Sequence, residues 1–486
     1  MRLPDLARVR TILSHPDDRS RRVAAALTAL LWWLAGACAQ CCWLGWLALA
    51  PLGWLLLGLP AKSRVAWGYA TGFLAFWLIN WWLVPTITFG APAIGAPPPI
   101  GFALGLVAVT LIALIHATTV AAIAWLWRGP RSLPLVALAW YLLDWMRCQG
   151  PLAHSWGALA FTQVPDLPVL QCVGLVGQHG LSALCAGAGM SLGLWLRNGD
   201  RRCLWGPVAL LGMLHAYGVY RLALPERPGR TLRVLLVQTE INSLRKKGLV
   251  DGESPLDQAT RLTASAAGDP YDLAVWPETT ADVIKIGPGR YNGLDWFEMR
   301  QVPRVLLAGA GADAIDGRCT NEAIYLAPGE PVQSRAKSRL VPFGERAPFS
   351  EIFPWLNGLA RQPPLEPGDG SSLLRLDGLR GGSVTAAVQI CFESCFPDRE
   401  TGSGQVLFVI TNDDWFSGTE APAQHRNMAI LRAVENNVPV VQVANGGYSF
   451  AANARGQVLE SLPYGVPCAR SAVVPLTSNA PTAVAN

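Results

Sequence analysis

The sequence predicts a multi-pass α-helical membrane domain followed by an α/β domain, on three observations. Hydrophobic residues fill 51% of the 486 positions and charged residues only 15%, too apolar for a soluble chain of this length. Most of the twenty tryptophans lie before residue 222, and the amphipathic indole favours the membrane–water interface. From Thr231 the texture changes to short β-branched runs broken by Gly, Pro and Asp and alternating with helical segments.

A helix needs roughly 20 mostly apolar residues to cross the hydrocarbon core. Seven candidate stretches precede residue 222, near 23–39, 41–59, 65–87, 100–127, 134–147, 169–196 and 203–221. The fifth is short and carries Asp144 and Arg147 at its end. Orientation follows from the connecting segments, because Lys and Arg beside spanning helices stay in the cytoplasm. Arg2, Arg8, Arg10, Arg19, Arg21 and Arg22 precede the first stretch. Lys62 and Arg64 follow the second, Arg128 and Arg131 the fourth, and Arg197, Arg201 and Arg202 the sixth. The N-terminus is therefore expected in the cytoplasm, and seven crossings put residue 222 onward outside. The expected divisions are a basic N-terminus at 1–22, a membrane domain at 23–221, an α/β domain at 231–475 and a disordered tail at 476–486. The first apolar run resembles a signal-peptide core, but without a small-residue cleavage site it reads as retained.

The formal charge of +5 does not indicate nucleic-acid binding, since the basic residues of the first half sit in short clusters between apolar runs. Nor do the eleven cysteines show metal-ligand spacing with His, so no metal site is expected.

The expected strands are RVLLVQ, DLAVWPE, RVLLAGA, NEAIYLA, VTAAVQICFE, QVLFVITND and VPVVQVANG. Reactive residues gather at such strand ends in layered α/β folds. Cys391, in VQICFESCF, sits where a strand turns into polar sequence, although a lone cysteine there also reads as structural. Glu278, in LAVWPETTADV, follows a Trp-Pro pair whose partial desolvation would suit a general base, and a capping Glu is the alternative. Lys337 lies among Arg335, Arg339 and Arg346, either as an oxyanion-stabilising ammonium or as part of a solvated basic face.

Taken together, WPE, the K-x-x-LVPFGE stretch ending at Glu345 and ICFE resemble, in that order, the Glu–Lys–Cys signatures of the nitrilase superfamily. TNDDWF at 411–416, then Gln424, His425 and the RAVEN run, resemble that superfamily's later strand and helix. With a polytopic first half, and with APLGW, NWWLVPTITFG, LLDWMR and GLVGQHGLSAL inside it, the chain resembles the apolipoprotein N-acyltransferases. The resemblance implies a four-layer α-β-β-α nitrilase-like domain on the periplasmic side of a bacterial inner membrane. It implies that Glu278 is the base, Lys337 the oxyanion stabiliser and Cys391 the acyl-carrying nucleophile, with Glu345 and Glu393 as supporting carboxylates.

The implied reaction takes an acyl chain from a glycerophospholipid onto Cys391 and passes it to the amine of a diacylglyceryl-cysteine apolipoprotein. No cofactor or metal is expected; the partners are the phospholipid donor, the lipid-modified acceptor and the membrane, and the enzyme is expected to be a monomer that binds no nucleic acid. Phe349, Ile352, Phe353, Trp355 and Leu356 in the stretch 349–364 suggest a lid that dips into the bilayer, with a packed surface helix as the alternative. Trp415 is a further substrate or lid candidate, and Tyr291, Trp296 and Phe297 in the loop 291–299 suggest a second lid of the same kind.

The chain departs from that family in four places, one of them the membrane motif around Pro151 to Gly157, which is only partly kept. No spanning run follows Val441, so the family's last anchor is expected to be absent; VQTEINSLRKK lacks an aromatic; and Phe392 stands where a tyrosine usually follows the nucleophile. A membrane-tethered amidase, a paralogue with another acceptor such as the relatives associated with plasmid transfer, and a non-catalytic scaffold are the competing expectations.

Overall fold

The computed structural model describes residues 17–225, 229–245, 248–266, 268–287, 289–294, 305–315, 317–360, 363–398 and 400–478. Arg2, Arg8, Arg10, Trp296, Phe297 and the tail beyond 478 lie outside the described residues. Two compact units form: residues up to Pro85 with Phe102–Leu224, and Thr86–Gly101 with the residues from Pro225 on.

In the first unit α1 (Asp18–Ala37) opens at Asp17, whose carboxylate accepts from the Ser20 amide at 2.8 Å. The second candidate stretch is not one helix. It divides into a 3-10 turn at Ala39–Cys41, a single turn at Leu44–Leu47 and α2 (Ala50–Leu56), restarted by Pro51. All of α2 is buried, so its apolarity reflects packing inside the bundle. The third stretch becomes α3 (Ala61–Ile79) and, after a bend of 49°, α4 (Leu83–Gly90), which begins in the first unit and ends in the second. Asn80 marks the bend, with its side-chain amide turned back onto the Phe76 carbonyl at 2.8 Å.

There follow α5 (Pro98–Leu126), α6 (Leu133–Met146), α7 (Val173–Asn198), kinked at Gly177, and α8 (Arg202–Ala223). Of the described helices, α5 and α8 are each long and apolar enough to cross a bilayer, and the bent pair makes a third if it counts as one span. Gly68 lets α3 approach α5 closely, because a Cβ there would lie 2.3 Å from that of Ala124. Asp144 pairs at 2.9 Å with Arg147 and at 2.6 Å with His179, so the polar end of α6 is satisfied within the bundle.

The second unit holds β1 (Thr231–Gln238), β2 (Leu273–Val275), β3 (Ala281–Gly287), β4 (Arg290–Asn292), β5 (Leu306–Ala314), β6 (Cys319–Leu326) and β7 (Gln333–Ala336). They are followed by β8 (Leu373–Leu376), β9 (Val384–Ile390), β10 (Val406–Asn412), β11 (Val440–Asn445), β12 (Phe450–Ala452), β13 (Val458–Ser461) and β14 (Cys468–Pro475). One sheet runs β14-β1-β2-β5-β3-β4, with β6 paired to β5 and β7; the other runs β13-β12-β11-β10-β9-β8.

Strand alternation separates the layers. Leu232, Val234 and Leu236 of β1 pack with Val388, Phe408 and Val443 between the sheets, while Leu235 and Val237 join Ala259 and Leu262 of α9 (Pro255–Ser265). On the second sheet β10 lies parallel between β9 and β11 and is buried along its whole length, which explains its unbroken apolar run. Helix α10 (Ala421–Asn436) follows β10 and packs on β11 and on the turn after β9, completing a four-layer α-β-β-α arrangement.

Candidate active site

Glu278 stands in a bulge. Strands β2 and β3 both run parallel to β5, Val275 opposite Leu307 and Ala281 opposite Ala310. Five residues on one side, 276–280, therefore face two on the other, 308 and 309, and the surplus loops out around Glu278. The loop is held tightly: Trp276 N–H donates to the Leu307 carbonyl, Gly309 N–H to Pro277 and Thr280 N–H to Gly309. Position 309 must be glycine here, since a Cβ would lie 2.4 Å from the Glu278 Cα.

Lys337 follows β7, with its backbone N–H donating to the Asn321 carbonyl of β6 at 2.7 Å. Its ammonium is almost wholly buried and lies 3.0 Å from Glu278 Oε1 and 2.9 Å from Glu345 Oε1. Asn321 Nδ2 donates to Glu278 Oε1 at 2.7 Å, and the Asn412 backbone N–H to Glu278 Oε2 at 2.9 Å. Glu345 Oε2 in turn accepts from the Val341 N–H at 2.7 Å, which closes the LVPFGE loop on its own carboxylate. Burial alone would pull the Lys337 pKa down. The Glu278 and Glu345 carboxylates outweigh it and hold the amine firmly protonated.

Cys391 begins a 3-10 turn directly after β9, with φ of 51° in the left-handed region. A non-glycine residue held there projects its side chain from a sharp strand end, and such strain persists where surrounding contacts fix it. Desolvation first, then the nearby Glu278 carboxylate, push the thiol well above its ordinary pKa; the Lys337 ammonium opposes them. The resting sulfur is protonated and faces both a carboxylate and a cation.

Glu393 occupies a different place. It accepts from both Arg335 guanidinium arms, from the Ser338 amide at 2.8 Å and from the Ile390 amide at 2.7 Å. Arg335 also donates to the Val388 carbonyl at 2.8 Å. This carboxylate joins the Lys337 segment to the turn that carries Cys391. Burial opposes its charge, and the Arg335 hydrogen bonds and charge overcome that, leaving its carboxyl below the ordinary value.

Among the lid candidates, Ile352 and Trp355 are each 69% exposed, and Phe349 and Phe353 are also exposed. Pro354–Leu359 forms a 3-10 helix whose aromatic is not packed into protein. Trp415 is half-buried in the turn Asp413–Phe416, its ring 6.1 Å from that of Phe89. The Tyr291 hydroxyl donates to Glu322 and hydrogen-bonds Ser334, both in the sheet. Nothing in the sequence pointed to the parts played by Asn321 and Gly309, and it showed Asn412 only as part of a motif and Arg335 only as part of a basic stretch; all four lie inside strands or at their ends.

Residues 28–191 match the apolipoprotein N-acyltransferase N-terminal domain, and residues 297–465 match carbon-nitrogen hydrolase. The apolipoprotein N-acyltransferase of Geobacter metallireducens is 31% identical over 445 residues, covering 86% of this chain and 82% of its own. The enzymes of the same name from Allorhizobium ampelinum and Brucella suis are 29% and 30% identical, covering 86% and 93% of this chain and 85% of each relative. On both halves, and along most of its length, this chain belongs to the apolipoprotein N-acyltransferase family.

Proposed function

We propose that the protein transfers an acyl chain from a membrane glycerophospholipid, through a thioester on Cys391, to the N-terminal amine of diacylglyceryl-cysteine apolipoproteins. Glu278 takes the thiol proton as the sulfur attacks the donor's ester carbonyl. The Lys337 ammonium stabilises the oxyanion of the tetrahedral intermediate. Collapse expels the lysophospholipid alkoxide, which leaves with the proton held by Glu278. The acceptor's neutral amine then attacks the thioester, Glu278 receives its proton, and the thiolate departs to be reprotonated. Glu345 shares the Lys337 charge, and Glu393 keeps the two segments in register.

The observation that carries this reading is the buried Lys337 ammonium shared by Glu278 and Glu345, with both Lys337 and Glu278 acting on the Cys391 thiol. A lipid donor and a lipid-anchored acceptor fit a membrane-embedded first half. In this reading the N-terminus is cytoplasmic, the first half is embedded in the inner membrane with an odd number of crossings, and the catalytic domain works on the periplasmic side as a monomer. Phe349, Phe353 and Trp355 then reach the acyl chains, and Trp415 borders the same entrance.

Two measurements test the proposal. Full-length protein incubated with vesicles of labelled phosphatidylethanolamine accumulates a thioester, and Cys391→Ala accumulates none; a labelled Cys391→Ala chain overturns the assignment. Release of free fatty acid without transfer to a diacylglyceryl peptide identifies the tethered amidase instead. A reporter fused after Arg230 is active outside the cytoplasm, and cytoplasmic activity overturns the orientation.

A further inference from the structure

Glu278 and Cys391 stand on different sheets, and Glu278 is held from both. Lys337 and Asn321, which bind its Oε1 at 3.0 and 2.7 Å, follow β7 and lie in β6 of the first sheet. Its Oε2 accepts at 2.9 Å from the backbone N–H of Asn412, the last residue of β10 in the second sheet. Strand β10 lies directly beside β9, with Ile410 opposite Ile390, the residue before Cys391. The direction in which the base faces the thiol therefore depends on where the end of β10 sits relative to the first sheet. The layer between the sheets is apolar, and apolar contact is non-directional, so it does not set that register by itself.

A group of buried side chains does set it. Asn445 ends β11 and is the neighbour of Asn412 across the parallel β10–β11 pair. Its amide is completely buried and uses its full hydrogen-bonding capacity. Oδ1 accepts from the Thr239 hydroxyl and the Ile241 N–H, each at 2.8 Å. Nδ2 donates to the Ile241 carbonyl at 2.7 Å and to Asn412 Oδ1 at 2.8 Å. Asn412 Nδ2 donates in turn to Ser243 Oγ at 3.1 Å. Thr239, Ile241 and Ser243 continue from the end of β1 in the first sheet, and Thr239 forms a parallel bridge with Asn445. The end of β1 is thereby stitched to the ends of β10 and β11, next to the amide that reaches Glu278. The chemistry proposed above gives none of these side chains a part.

We propose that Asn445, Asn412 and Ser243 are positioning residues for Glu278. Their side chains fix the segment after β1 to the ends of β10 and β11, and so hold the Asn412 N–H on Oε2 with the carboxylate directed toward the sheet that carries Cys391. They act through the base and take no part in making or breaking bonds. Loss of the stitch leaves the Lys337 and Asn321 contacts on Oε1 in place and lets Oε2 swing away from the second sheet. The inference rests on the reading of Glu278 as the base.

The test is a set of paired variants of the full-length protein, read by the single-turnover rate of thioester formation with saturating vesicles of labelled phosphatidylethanolamine. Misplacing a catalytic group by about 1 Å costs up to about 10²-fold, so Asn412→Ala is expected to slow the step on the order of tenfold. Ser243→Ala removes a single hydroxyl and leaves the Asn445 amide in place; it slows the step less and guards against a variant that fails to fold. In a Glu278→Gln background neither substitution slows the step further, since no base is left to misplace. Equal losses in the two backgrounds make the group merely structural and overturn the proposal, as does a parental rate in both single variants. A parental rate in Glu278→Gln itself overturns the base assignment and this inference with it, a pattern that neither of the other results produces.

Discussion

Two glutamates are buried to nearly the same degree, Glu278 at 5% exposure and Glu393 at 6%, yet their surroundings are built differently. Glu393 meets a guanidinium fork with backbone amides filling its remaining lone pairs, so the pair is neutral and saturated. Around Glu278 one ammonium serves two carboxylates, which leaves a formal charge of −1 across Glu278, Lys337 and Glu345. A neutral, saturated pair holds two segments together. An anionic cluster beside a thiol can accept its proton. The difference between arginine and lysine reinforces this, since a planar fork fixes geometry while a single ammonium can follow an oxygen that changes shape during reaction.

The sharpest way to break the comparison is to remove the charge from each glutamate while keeping its shape. Glu278→Gln is expected to lower the rate of thioester formation by about 10²–10⁴-fold, the usual worth of a general base, with its thermal unfolding midpoint close to that of the parent. A comparable loss of unfolding stability in this variant would make Glu278 structural. Glu393→Gln should do the reverse. It strands the buried Arg335 cation, at a cost of about 3–5 kcal/mol of stability read by denaturant unfolding, while the folded fraction keeps most of its alkylation rate at Cys391.

The same contrast has a pH arm of smaller size. The folded-state carboxyl of Glu393 sits below its ordinary value of 4.5, so its contribution is complete above that pH and drains away as the pH falls through the lowered value. Acid unfolding curves should show this loss in the parent and lack it in Glu393→Gln. The smallest effect belongs to the exposed aromatic edge: Trp355→Ala should raise the KM for vesicle phospholipid roughly threefold and leave kcat unchanged. A fall in kcat instead would move Trp355 from substrate capture into the reaction.

The contrast between these regions was only half visible in the sequence. WPE and the Cys391 turn were legible because each reactive side chain follows an apolar run at a strand end, and the Lys337 stretch because K-x-x-LVPFGE carries a family motif. Arg335 read as one more cation in a basic stretch, since nothing local marks Glu393, 58 residues away, as its partner. The bulge at Glu278 depends on register against Gly309 of β5, a long-range pairing that leaves no local pattern. In the first unit, hydropathy found where helices form but not where they stop. Residues 41–59 are apolar enough to suggest one span, yet Pro51 and close packing divide them into short buried pieces. His425 was noticed only through its motif; its contact with the Cys391 carbonyl, 34 residues earlier, required the fold.

The raised pKa of the Cys391 thiol has a consequence for how long the enzyme lasts. Peroxides, disulfides and other soft electrophiles attack thiolates far faster than thiols, and the periplasm proposed for this domain is an oxidising place. A nucleophile kept protonated until a donor ester is in place is shielded from such chemistry between turnovers. The demand for an adjacent base is thus also a form of durability: the sulfur is disarmed by default and armed by its substrate.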